Sequence, residues 1–391
     1  MTPILLNWQA SNLFAWGIVG LHIFEHWALR DDVCPVMGAH LDPSHLPLGA
    51  HAPHGREKLR ERIELSNRFA NDLAAAKEAY PSFKLNIPVV HALGNRYTGA
   101  TNASGKRNIG RIVFEDTFLD AASQSAQEYD LFTCISEWNA ELLREDTDKP
   151  VVTIHEGVDT RRFHPGPRTH LFGRGRFLIY SGGKVEFRKG QDQVLLAFRA
   201  FHARHPDSVL VVAWQSPWQL VGTGFKGRLE APLHRAESGA LDIPRWCAEN
   251  GVDPGAVIDL GLVPNTEMPA ILREMDCALV ASRCEGGTSL VAMEAMASGV
   301  PTIIPNNTGL RDIVGDDRCI VLRRQTPTEA DPGEGRYGWC DSDIEEIVEA
   351  LELLYSSSER RAKLGAAGAA FIGRRTWAGH AERLREAVFS I

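Results

Sequence analysis

From residue 176 onward the chain alternates short apolar runs with longer amphipathic ones. FLIYS (177–181), VLVVAW (209–214), AVIDLGLV (256–263), CALVAS (277–282) and PTIIP (301–305) are continuous apolar runs of strand length, the pattern of strands covered on both faces. Between them, QDQVLLAFRAFHARHP sets Val194, Phe198 and Phe201 on one helical face, while TEMPAILREMD and SLVAMEAMAS read as intervening helices. Such alternation predicts a doubly wound α/β domain around a parallel sheet. The first half repeats the pattern less cleanly. ILLNW, IPVVHAL, RIVFED and LFTCIS read as strands, with helices near 56–79, 118–128 and 137–145, so a second α/β lobe is expected. RRFHPGPRTHLFGRGR (161–176), rich in Arg, Pro and Gly and without periodicity, marks the linker, and residues 222–240 read as a loop. The expected domains are 1–165 and 166–372, followed by an isolated amphipathic helix in 373–391.

Length supports two cores, since 391 residues exceed what one ordinary core holds. With 44% hydrophobic and 24% charged residues the composition is that of a soluble protein, and a formal charge of -8 argues against a general nucleic-acid binder. Seven cysteines (34, 134, 247, 277, 284, 319, 340) are scattered without a CxxC pair, which suggests neither a disulfide framework nor a zinc site and fits a reducing cytoplasm. The apolar amino terminus lacks a basic leader and a cleavage site, and Asn12, His22, Glu25 and His26 interrupt it, so it reads as a buried strand and helix. Peripheral contact at the inner face of a membrane through Trp16, Phe24 and Trp27 is the alternative.

Ligands of open parallel sheets sit at the carboxyl ends of strands. RCEGGT follows CALVAS and opens SLVAMEAMAS; Gly286 and Gly287 admit close backbone approach and the helix start favours an anion, so phosphate is the expected occupant. Glu285 and Glu294 would bracket it, and carboxylates accept well from sugar hydroxyls. The competing reading makes Glu294 a satisfied buried residue and Glu285 a loop acid. A second cluster, SGGKVEFRKGQD (181–192), carries Lys184, Arg188 and Lys189 after a glycine pair, suited to neutralising a diphosphate without metal; a solvated basic turn is the alternative.

The run EGGTSLVAMEAMASGVPTIIPNNTGLRDIV resembles the donor-binding signature of retaining glycosyltransferases of family 4, glycosyl transferases group 1. The resemblance extends through IHEGVDTRRFHP, GGKVEFRKG, GLVPNTEMPAILREMDCALVAS and WAGHAERLREAV, covers about the last 240 residues, and continues into YDLFTCISEWNAELL. It implies the GT-B fold: two Rossmann-like domains facing a central cleft, with the C-terminal helix crossing back to the first domain. It implies that Lys184 and Lys189 grip the diphosphate, that Glu285 contacts the transferred sugar, and that Glu294 holds the ribose. Gly286, Gly287, Thr288, Ser289 and Leu290 would present backbone and hydroxyls, and Val263 would lie by the base. The family places seven residues between the two glutamates; here eight intervene, so the loop must bulge near Thr288 and Ser289. Where the family often has a first-lobe histidine, RIVFEDT supplies Glu115 and Asp116, and His91 is the nearest histidine candidate. Gly17 occupies the position of the family's phosphate-side glycine loop, with close helix packing of Gly17 and Gly20 as the equal alternative.

Other chemistry-bearing residues read as structural. DSD (341–343) imitates a metal-binding acid pair but opens IEEIVEALELLY, so helix capping is favoured; His40, His45, His51 and His54 could suggest metal but are irregularly spaced in a Pro-rich loop; and for Trp214, Gln215 and Trp218 packing is favoured over facing a base or sugar. The function expected is a metal-independent, retaining hexosyltransferase-type glycosyltransferase without a cofactor. It would take a nucleotide diphosphate sugar as donor and a carbohydrate, lipid-linked or protein acceptor, and no nucleic acid. The alternatives are a nucleotide-sugar-binding protein without transfer activity and an epimerase or phosphorylase on the same fold. A nicotinamide dehydrogenase is disfavoured because no strand is followed by GxGxxG.

Overall fold

The structure, a computed structural model of the chain, describes residues 1–99, 102–119, 126–218, 221–330 and 332–390. Two compact units divide it. The first comprises Met1–Gly157, Ala330–Arg336 and Arg375–Ile391, the second Val158–Glu329 and Tyr337–Arg374.

The first unit holds a six-stranded, all-parallel sheet in the spatial order Val33–Met37, Thr2–Asn7, Pro88–Leu93, Arg107–Ile112, Leu131–Cys134, Val151–Thr153. Val33–Met37, with Pro35 at its centre, was not among the expected strands. As an edge strand it tolerates a proline that a central one would not. The strand expected at RIVFED is displaced to Arg107–Ile112, so that Glu115 and Asp116 lie on the loop beyond its end. Of the helix expected near 118–128, residues 120–125 lie outside the described residues. The helix Ala15–Ala28 buries ten of its residues from Gly17 to Trp27 but His26, and the C-terminal helix Trp377–Phe389 packs against it. Phe24 and Trp27 are fully buried and the Trp27 indole donates to the Ala381 carbonyl at 2.9 Å, so these two side chains belong to the core and face no membrane. Among the described residues no helix is long and apolar enough to cross a membrane.

In the second unit another parallel sheet runs Val257–Asp259, Ser208–Ala213, Phe177–Gly182, Cys277–Leu279, Thr302–Pro305, Ile320–Leu322. In sequence order this is 3-2-1-4-5-6, the doubly wound arrangement. Side-chain alternation fills both faces. Phe177, Ile179, Leu210, Val212, Cys277 and Leu279 join one core; Leu178, Tyr180, Val209, Val211, Ala278 and Val280 join the other. Strands packed on both sides must be apolar throughout, which is why they were the most legible segments.

Candidate functional site

Strand order in the second sheet reverses between Phe177–Gly182 and Cys277–Leu279. The loops leaving these two strands therefore diverge and open a crevice, the usual ligand position in such sheets. The first loop is Gly183 to Gly190. A side chain on Gly182 would collide with the Tyr180 hydroxyl, and Gly183 has φ 103. Gly190, at φ 69, lets the chain press against the Ala281 carbonyl before Gln191–His202 begins, leaving no room for a Cβ. The Gln191 amide braces the loop from inside, donating to the carbonyls of Gly183 (3.1 Å) and Lys184 (3.0 Å).

The second loop carries Glu285, which is 5% exposed. Its carboxylate accepts from Lys189 Nζ at 2.7 Å to both oxygens, from Arg188 Nη1 at 3.1 Å and from Ser282 Oγ at 2.8 Å. Burial pushes this carboxyl up, but the Lys189 and Arg188 charges, with hydrogen bonds from Lys189 and Ser282, outweigh it and hold Glu285 below the usual carboxylate range. A third loop, leaving Thr302–Pro305, completes the cradle. Thr308 Oγ1 accepts from the Glu285 amide at 3.0 Å and the Gly309 amide donates to the Glu285 carbonyl at 3.0 Å. Lys184 stands at the rim, 2.6 Å from Glu186 and over the Trp218 ring at 5.1 Å.

Glu294 lies in the helix Leu290–Ala297, 8% exposed, and accepts from the Asn265 amide at 2.7 Å. Burial, and then the Glu294 charge, push the Tyr180 phenol up. Val263 is half-buried against the same core. Thr288 is buried with its hydroxyl 3.0 Å from Met293 Sδ, and Ser289, at φ 58 and ψ 97, turns the chain into the helix at Leu290. A non-glycine residue in this region is uncommon. The departure from ordinary backbone thus falls within the GGTS segment where the extra residue between the glutamates demanded a rearrangement.

In the first unit, Gly17 lies inside the helix Ala15–Ala28, and a Cβ there would meet the Ser11 backbone at 2.6 Å. Gly20 likewise admits the Trp8 indole. His91 is a residue of the strand Pro88–Leu93, 4% exposed, with Nε2 3.1 Å from Asn108 Oδ1 and Nδ1 3.5 Å from the Asn7 amide. Burial lowers its pKa, helped by Lys77, so the ring is neutral and engaged within the sheet. Glu115 sits on the loop after Arg107–Ile112, where Asn95 Oδ1 accepts from its amide at 2.8 Å and from that of Asp116 at 3.2 Å. The Asp116 carboxylate accepts from Arg96 Nε at 3.0 Å and from the Gly335 amide at 2.7 Å.

Residues outside the motif reading also build the site. Arg283, wholly buried, meets Asp192, Asp341 and the Phe187 carbonyl, and Asn307 donates to the Ser282 carbonyl at 3.1 Å. Their only sequence signal was a charged residue and an amide directly beside apolar strands. Asp343 caps its helix as expected, accepting from the Glu346 amide at 2.8 Å, whereas Asp341 is spent on Arg283. Trp214 is core, and Gln215 bonds Asp259 at 2.7 Å. His51 pairs with Glu25 at 2.9 Å. Among the described residues no group of three or more His, Cys, Asp or Glu is placed to hold a metal ion.

Two doubly wound, parallel-sheet units, one with a basic, glycine-bounded crevice at its strand reversal, define the GT-B class. The Anabaena protein HepE, solved with UDP and glucose, superposes over 100% of both chains with a TM-score of 0.63 at 13% identity. Sucrose-phosphate synthase from Thermosynechococcus elongatus does so over 99% of this chain and 98% of its own with a TM-score of 0.62 at 17% identity. Residues 176–331 match the family described as glycosyl transferases group 1, and the chain as a whole has the GT-B fold. A GDP-mannose-dependent alpha-(1-6)-phosphatidylinositol monomannoside mannosyltransferase of Mycolicibacterium smegmatis is 26% identical over 224 residues, 54% of this chain and 49% of that protein. D-inositol 3-phosphate glycosyltransferase 2 of Catenulispora acidiphila is 29% identical over 254 residues, 60% and 53% respectively. The chain spans about half the length of the curated relatives it matches.

Proposed function

We propose that this protein is a retaining glycosyltransferase that moves a sugar from a nucleotide diphosphate sugar to a carbohydrate, lipid-linked or protein acceptor in the cytoplasm. The observation that carries the reading is the buried Glu285 carboxylate clamped by Lys189 and Arg188 at the strand reversal, directly before the helix at Leu290. The barrier to transfer lies in breaking the anomeric bond as charge grows on the departing diphosphate. Lys189, Arg188 and Lys184, with the backbone of Gly286 and Gly287, would stabilise that charge in place of a metal ion. Glu285, kept ionised by its cations, would accept a hydroxyl of the transferred sugar and fix its orientation, while Glu294, steadied by Asn265, would take the ribose hydroxyls.

The test is a thermal-shift and turnover screen over UDP-, GDP-, ADP- and TDP-sugars, with Lys189→Ala in parallel. Stabilisation by one donor, its hydrolysis or transfer, and loss of both in the variant are expected; no shift with any donor would count decisively against the reading. The second reading, binding of a nucleotide sugar without transfer, draws on the engagement of His91 inside the sheet, which leaves Glu115 to stand where the family often uses histidine. Binding without turnover across the donor panel and an acceptor library would select it.

A further inference from the structure

We propose that Arg283 is a positioning residue of the proposed transfer, a buried fork that fixes the Lys189 loop against the Glu285 loop. The proposal rests on the function proposed above. Arg283 has no exposed surface, an exceptional place for a guanidinium. Its Nη1 and Nη2 donate to Asp192 Oδ1 and Oδ2 at 2.8 and 2.6 Å, a bidentate pair with the first turn of the helix that follows the Lys189 loop. Nη1 also donates to the Phe187 carbonyl at 2.6 Å, inside that loop, and the guanidinium lies over the Phe187 ring at 4.1 Å. Nε donates to Asp341 Oδ1 at 2.6 Å.

The backbone continues the same stitch. The Arg283 and Cys284 amides both donate to the Arg188 carbonyl, at 2.7 and 3.2 Å, so the backbone of one loop is tied to the other at the residue before Lys189. One residue beyond this tie on each loop, Lys189 and Glu285 meet through their side chains. Burying an arginine and the Asp192 carboxylate costs desolvation that a hydrophobic filler would avoid, so the pair is poor at supplying stability and good at specifying geometry. A planar fork does what a point charge cannot: it fixes direction as well as distance. The function assigned to Arg283 is therefore to set where the Lys189 ammonium stands relative to Glu285, and through it the charge of the site.

The experiment compares wild type, Arg283→Lys and Asp341→Ala by thermal unfolding, by donor turnover with the nucleotide sugar that the screen selects, and by affinity for whichever of UDP, GDP, ADP or TDP shifts the wild type most. Lysine keeps the charge and loses the fork. Its expected result is a folded protein whose kcat falls about 30-fold with KM for the donor changed less than about threefold, because alignment matters most in the transition state. The acid limb of its pH profile should move to higher pH, since Glu285 loses part of its clamp. A folded Arg283→Lys protein with unchanged kcat and an unmoved acid limb overturns the proposal, whatever its melting temperature. Where Arg283→Lys does not fold, Asp341→Ala decides. That carboxylate side chain is 30% exposed, and its loss should lower kcat about fivefold and move the acid limb the same way; a wild-type profile there overturns the proposal. Failure of the underlying function is visible in the wild type alone, as absence of both nucleotide binding and turnover, and takes this role with it; variants that match an active wild type overturn only the role of Arg283.

Discussion

Glu285 is the residue on which the proposed chemistry turns, and its protonation behaviour is the most direct handle on that proposal. Held below the ordinary carboxylate range by Lys189 and Arg188 against the pull of burial, it stays ionised as pH falls through the ordinary value. What its charge contributes is complete above that value and is lost only as pH falls through the depressed one. The kcat/KM profile of the wild type should therefore carry no acid limb from this group near pH 4.5, the ordinary value, whereas Lys189→Ala should bring one up toward it. Glu285→Gln keeps the shape and removes the charge; it should lower kcat by roughly 10²–10³-fold, the scale of losing one preorganised electrostatic contact, measured by donor turnover. Glu285 and Lys189 were legible because each stands in a loop that carries a glycine pair and leaves an apolar run, a local signature. Arg283 was not, because its meaning lies with Asp192 and Asp341, 91 and 58 residues away in sequence.

At the scale of elements, glycines decide where loops and helices approach. Gly190 combines a left-handed backbone with contact against the Ala281 carbonyl, so Gly190→Ala should cost stability of roughly 2 to 4 kcal/mol and displace the Lys189 loop. Urea unfolding and donor affinity measure the two effects. Gly17→Ala should destabilise the first unit by forcing Ala15–Ala28 off the Ser11 backbone, about 1 to 3 kcal/mol by the same denaturant measurement. Sequence pattern predicted the central strands well and the peripheral elements poorly. Ile320–Leu322 is a three-residue edge strand, too short to hold a period. Ser358–Ile372 buries only Leu364, Gly365, Gly368 and Ile372, and its close approach at Gly365 to the Gly299 carbonyl depends on small residues that carry no hydrophobic signal. Helix and strand assignments from periodicity fail where packing uses absence of side chain instead of apolar bulk.

For the whole molecule, chain order and spatial units differ: the last helix, after the second unit is complete, belongs to the first. Trp377, Ala381, Leu384, Ala387 and Val388 are buried there, so a chain ending at Arg374 should lose more than about 5 kcal/mol of first-unit packing. Calorimetry would show one transition lowered or missing and the other retained. His380 ties this helix to pH. Burial, then Arg111, Arg383 and His22, pull its pKa from 6.5 to about 3, against the hydrogen bond to the His155 carbonyl at 2.8 Å. Between these values the unfolded chain binds the proton and the folded one does not, so stability is intact above pH 6.5 and falls by up to about 1.4 kcal/mol per pH unit below it. His380→Gln should flatten that slope in urea titrations at pH 7.5 and pH 5. The cysteines offer a final consequence. Six of the seven thiols are buried, and Cys340 alone is half-buried, with its amide bonded to the Arg283 carbonyl at 3.1 Å. Burial, and then Asp341, push the Cys340 thiol up. A maleimide dye at mildly alkaline pH should thus label the native protein at one place without any engineering, and its fluorescence would report, from beside Arg283, entry of the proposed donor.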